Sequence, residues 1–230
     1  MNHLTLSDGI SADAIFGDWL KIFGRAITAQ DYDCLEGMFS QECYLRDLLA
    51  LTWDFRFFEG RSDIRAALQA TLPGLGLRNF RVAADRSGPL FVRRSGKKLV
   101  EGYFQFDSAF GVCDGFVRLQ VGEGQAAAGI WHLVTVLNHI HDHGEKIGRD
   151  RPTGDRYSRI TSSMSWREER IEQQAFADRD PEVLIIGAGQ SGLMLAARLK
   201  QMGVDVLVVE KTERIGDEWR HRYNNLTLHN

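Results

Sequence analysis

The sequence predicts two folds in tandem: an α+β domain, then the opening βαβ unit of an α/β domain. Three observations carry this. Helical periodicity dominates from Ser11 to Pro73, and strand periodicity takes over from Phe80 to Ile140. A charged, apolar-poor stretch follows. The chain then enters an apolar strand, a glycine-rich turn, an amphipathic helix and a second apolar strand ending in an acid. Helices first and strands afterwards is an α+β order, whereas strand–helix–strand with all-apolar strands is the mark of a parallel sheet.

Taken in order, Ile15, Phe16, Trp19, Leu20, Phe23 and Ile27 form one helical face, with Ser11 placed to cap it. A second short helix runs through Leu35. A third opens near Ser62 and ends before Pro73. Phe80 to Ala84, Leu99 to Phe106, Gly115 to Val121 and Ile130 to Ile140 read as strands of an antiparallel sheet, several joined by glycine-containing turns. The first domain therefore spans residues 11–140. Residues 141–180 read as a charged linker with one amphipathic helix from Ser165 or Trp166 through Phe176, Trp166 anchoring it on a neighbouring domain. Residues 181–230 form the third part.

Composition narrows the function. Net charge is −3 over 230 residues, which points away from nucleic acid and acidic membrane surfaces. The three cysteines, Cys34, Cys43 and Cys113, are scattered without metal-type spacing, as expected in a reduced cytoplasmic compartment. No run approaches membrane-spanning length, and the first ten residues lack a signal-peptide pattern. His139, His141 and His143 would share one face of a strand, neighbours ~6.6 Å apart. The run leads into a polar segment, Gly144 would break its alternation, and it reads as a solvated strand end with no metal.

The third part carries the chemistry. Leu184 to Ile186 is a short buried-type strand, followed by Gly187, Ala188, Gly189, Gln190, Ser191 and Gly192. Gly187 permits the tight turn, Gly189 lets the backbone approach a pyrophosphate, and Gly192 lets helix and strand pack closely. The N–H groups opening the helix then face the phosphate charge. Leu195, Ala196, Leu199 and Met202 continue the helix to Gly203, and Val206 to Val209 lead to Glu210. This is the first unit of a Rossmann-type dinucleotide-binding domain. Glu210 suits a free ribose diol and would repel a 2′-phosphate, so the site should take FAD or NAD rather than NADP.

The continuation Glu210-Lys211-Thr212-Glu213-Arg214-Ile215-Gly216-Asp217-Glu218-Trp219-Arg220, then Tyr223-Asn224-Asn225-Leu226-Thr227-Leu228-His229, resembles the flavin-containing monooxygenases. The resemblance implies FAD on Gly187, Gly189, Gly192 and Glu210, with Lys211 adjoining and Glu218, Trp219 and Arg220 toward the flavin. It further implies NADPH as reductant and oxygenation of a small organic substrate through a hydroperoxyflavin. The family's second glycine motif, for NADPH, does not occur in this sequence. The chain is accordingly expected to be the N-terminal part of a longer polypeptide and inactive alone. A reductase-like or oxidase-like FAD enzyme would share the first fingerprint.

The element order of the first domain, with Tyr44 to Gly60, resembles the NTF2-like (SnoaL-like) cone fold. That resemblance implies a curved sheet around helices, enclosing a pocket used in some relatives for catalysis and in others for homodimerisation. Asp47, Asp54, Tyr103 and His132 are the titratable residues expected to point inward. In an apolar pocket an aspartate or histidine could act as general base. The competing reading has Arg46–Asp47 and Asp54–Arg56 as structural ion pairs and His132 as a satisfied core residue. Trp53, Phe55, Phe57 and Phe58 then serve as core or dimer contacts, and the domain as a binding module.

Overall fold

The computed structural model describes residues 10–122, 129–151 and 164–222. It divides into two compact units, Met1–His141 and Asp142–Asn230. The stretch read as a linker belongs with the second unit: the Lys146 N–H donates to Gln201 O at 2.9 Å, and Arg198 pairs with Glu145 at 2.6 Å.

The first unit opens with α1 (Ala12–Ala29). Its N-cap is Ser11, whose hydroxyl accepts from Ala14 N at 3.1 Å, and the expected apolar face is buried. Asp31 caps α2 (Tyr32–Met38), and α3 spans Gly60–Thr71. Seven strands follow one another as β1 (Phe39–Leu48), β2 (Phe55–Glu59), β3 (Arg78–Val82), β4 (Leu90–Arg94), β5 (Lys97–Asp107), β6 (Gly111–Gln120) and β7 (Gly129–Ile140). They form one sheet in the order β2-β1-β7-β6-β5-β3, with β4 also paired to β5. Pairing is antiparallel except between β1 and β7, which run parallel. The wholly antiparallel expectation is corrected there, because a parallel partner so distant in sequence leaves no local turn signal. β1, β2 and β4 were not anticipated either. In β1 both faces carry polar groups, Asp47 inward and Arg46 outward, which blurs the alternation.

Helices cover one sheet face, giving the α+β cone that the resemblance implied. Its interior is not hollow. A Cβ on Gly102 would lie 2.3 Å from the Phe16 ring, and one on Gly115 would lie 2.1 Å from the Phe104 ring. These glycines admit the two rings against the inner face of β5 and β6, where Trp19, Phe23, Phe104 and Phe106 pack ring on ring. The strand ends at Ile140 and Asp142 has a positive φ of 64°, so the histidine alternation breaks at His141, earlier than Gly144. Among the described residues no cluster of metal-ligating side chains forms.

The second unit contains α4 (Trp166–Ala175), closed by a reciprocal Ser165–Glu168 capping box. Trp166, expected as an anchor, is 77% exposed. β8 (Val183–Ile186), α5 (Gln190–Gln201) and β9 (Val206–Val209) form the βαβ unit, with β8 and β9 parallel and in register from Val183↔Val206 to Ile186↔Val209. A short α6 (Asp217–Arg220) follows. Among the described residues, no helix is long and apolar enough to cross a membrane.

Candidate cofactor site

The glycine loop between β8 and α5 is built as its sequence demands. Gly187 has φ 102°, a conformation costly for any side chain, and its N–H donates to Val209 O at 2.7 Å, tying the turn to β9. A Cβ on Gly192 would sit 2.0 Å from Gly187 O and 3.3 Å from Ile185 Cγ2. Only a glycine lets α5 lie this close to the strand. Gly189 is the N-cap and, among the described residues, no side chain caps the helix, so the first-turn N–H groups of Gln190 and Ser191 have no side-chain partner. That is a cradle for a phosphate.

Glu210 sits just past β9. Its Oε2 accepts from Ala188 N at 2.6 Å and its Oε1 from Thr212 N at 3.1 Å. The Ala188 and Thr212 N–H groups hold its carboxyl below the usual range, against the upward pull of desolvation. The acid thus tethers the loop through an ionised carboxylate, whose remaining lone pairs can accept from a ribose diol. This link between Glu210 and Ala188 is invisible in the motif, which specifies an acid but not what it holds before a ligand arrives.

Ala188, Gly189, Leu193, Met194, Glu218 and Trp219 line a cavity of ≈ 450 Å³ beside the loop. Glu218 and Trp219 are therefore brought beside Gly189. A Cβ on Gly189 would lie 3.2 Å from Glu218 Oε2. Trp219 is 46% exposed with Arg222 over its ring at 5.1 Å. Arg220 is engaged locally, donating to Asp217 Oδ1 at 2.7 Å and to Ile215 O at 3.0 Å. Asp217 is buried, also accepts from Arg214 N at 3.1 Å, and is held below the usual carboxylate range first by Arg220. Sequence reading gave Asp217 no role; its signal is the acid opening a turn of helix right after Gly216, at φ 88°. Lys211 is exposed. The Tyr223-to-His229 stretch lies outside the described residues.

Among the described residues, the titratable residues expected in the cone do not come together. Asp47 lies on the inner face, wholly buried, and accepts from Leu51 N, Thr52 N, Thr52 Oγ1 and Thr135 Oγ1 at 2.7–3.1 Å. Its expected partner Arg46 is on the opposite face, since neighbouring strand residues alternate. Asp54 is at the hairpin end and pairs with Arg56 at 3.2 Å, as expected. His132 and Tyr103 are on the outer face. The His132 ring stands 4.9 Å from that of Tyr44, opposite Arg118. Burial lowers its pKa, reinforced by Arg118 and Lys97 and opposed by Glu42. Its Nδ1 is buried without a hydrogen-bond partner among the described residues, so it is not the satisfied core histidine of the competing reading.

Residues 180–226 match the family model described as FAD binding domain. The stretch is 49% identical over 47 residues to an uncharacterized CzcO-like oxidoreductase of Geobacillus kaustophilus, covering 20% of this chain and 14% of that protein. It is 46% identical over 50 residues to the indole-3-pyruvate monooxygenase YUCCA1 of Oryza sativa subsp. japonica, covering 21% and 12%. The matched stretch thus spans about a seventh or less of these curated relatives. Among solved structures, an NTF2-like protein of unknown function from Pseudomonas putida aligns at 12% identity and TM-score 0.41, over 57% of this chain and 89% of that one. A cystatin-like fold protein from Nostoc punctiforme aligns at 13% identity and TM-score 0.41, over 60% and 96%.

Proposed function

We propose that this chain carries the FAD-binding βαβ unit of a flavin-dependent oxidoreductase of the monooxygenase type, drawing hydride from NADPH and oxygenating a small organic substrate. The observation that carries the proposal is the glycine loop: Gly187 takes a φ of 102° that strains any side chain, Gly192 leaves no room for a Cβ, and the loop opens a helix without a side-chain cap beside Glu210. FAD, when bound, supplies the redox chemistry. The first-turn N–H groups of α5 would hold the pyrophosphate, Glu210 would take the ribose, and Leu193, Met194 and Trp219 would offer the cofactor an apolar wall. The monooxygenase reading draws support from the names of the rice relatives, and an oxidase or reductase shares only the fingerprint.

The ionised Glu210 makes the test specific. The chain should take up FAD and reject NADP⁺, whose 2′-phosphate would meet the carboxylate. Glu210→Gln should narrow that discrimination at least about tenfold. Equilibrium dialysis against both ligands measures this; preference for NADP⁺ in the native chain would refute the assignment.

We also propose that the first unit self-associates through its outer sheet face. Phe55 and Phe57 are exposed at 72% and 61%, in a grid with Leu48, Val134, Val136, Phe116 and Tyr103. The acids on the same face are already engaged within the chain, Glu101 by Arg118 at 2.8 Å and Asp114 by Gln105 and Asn138 at 3.1 and 3.0 Å. A two-fold partner would therefore be held by burial of the apolar grid. Sedimentation should show a dimer that Phe57→Ala weakens about tenfold or more; a monomer at high micromolar concentration would contradict this.

A further inference from the structure

Beside the filled cone, the first unit carries a separate cleft of ≈ 690 Å³ between the β1–β2 hairpin and the end of α3, a volume typical of small-molecule sites. Its walls are apolar: Trp53, Phe58 and Phe110 on one side, Ala67, Ala70 and Leu75 on the other. The hairpin that forms the lip is built at a cost. Leu49 and Trp53 both have positive φ, 69° and 54°, conformations that disfavour bulky side chains. Four donors on the buried Asp47 and the Leu49 N–H to Asp54 O bond at 3.1 Å over-determine this turn. The strain holds Trp53 at the lip, 48% exposed, edge-on to Phe110 at 5.2 Å.

The polar inventory of the cleft selects the ligand. The Thr52 hydroxyl donates to Asp47 at 2.7 Å and the Thr71 hydroxyl to Ala67 O at 2.9 Å. Asp54 accepts from Phe55 N at 2.8 Å and pairs through its other oxygen with Arg56 Nε at 3.2 Å. The two terminal nitrogens of Arg56 have no protein acceptor among the described residues. They are donors only, and their planar fork matches a carboxylate. We propose that this cleft binds a flat apolar molecule bearing one carboxylate, its ring against Trp53 and Phe110 and its carboxylate on Arg56. The assignment is independent of the flavin reading.

Calorimetric titration of the full chain with 2-naphthoate and with 2-naphthalenemethanol tests it. The native protein should bind 2-naphthoate more tightly than the alcohol. Arg56→Gln should weaken 2-naphthoate about tenfold while leaving the alcohol within about twofold. Trp53→Gly, which suits the positive φ and so spares the fold, should weaken both about tenfold. No binding of either probe at millimolar concentration, or binding unchanged in both variants, would overturn the proposal. Occupation of the cleft by a second copy would show as probe binding that rises on dilution, and would overturn it too.

Discussion

Asp47→Ala should destabilise the first unit by roughly 3–5 kcal/mol, while Asp54→Ala changes it by less than about 1 kcal/mol. The two acids sit seven positions apart in one hairpin, and burial separates them. Asp47 has no exposed surface and satisfies two backbone N–H groups and two hydroxyls. Its removal leaves the buried Leu51 N–H and Thr135 hydroxyl without that acceptor, and leaves the turn held by the Leu49 N–H to Asp54 O bond and the Thr52 hydroxyl to Asp54 O contact, each at 3.1 Å. Asp54 and Arg56 are each 61% exposed, and an exposed ion pair contributes little. Urea denaturation checks the contrast through the midpoint at constant slope. Equal effects from the two substitutions would show that Asp47 is not the keystone of the hairpin.

Gly192→Ala should cost about a hundredfold or more in FAD affinity. The obstacle to the added methyl is Gly187 O at 2.0 Å, a backbone atom with no rotamer to yield. α5 would have to move away from β8, and its first-turn N–H groups would move with it. Losing one or two charge-assisted hydrogen bonds, each worth roughly 1.5–3 kcal/mol, corresponds to that factor. Ser191→Ala leaves the backbone donors in place and should change affinity by less than about threefold.

The cofactor unit was largely legible in sequence because every constraint there is local. Strand, turn, helix and acid follow within thirty residues, and each glycine answers to a steric demand of its own neighbours. What could not be read was Asp217, whose partners Arg214 and Arg220 make it part of the loop that follows β9. The cone was legible in its helices, where the stripe from Ile15 to Ile27 is unambiguous. It was misread where long-range pairing decides. β1 joins β7 in parallel, and that pairing puts Asp47 inside and His132 outside, so the pocket imagined around them never forms. The plugging of the cone by Phe16 and Phe104 is likewise a tertiary fact, although Gly102 and Gly115 within strands were its available signal.

The most direct test of the cofactor assignment is calorimetric titration of FAD into the native chain and into Gly192→Ala under identical conditions. Binding of one FAD per native chain, lost or weakened about a hundredfold in the variant, is the expected result. FAD binding that is absent from the native chain, or equally tight in the variant, would contradict it.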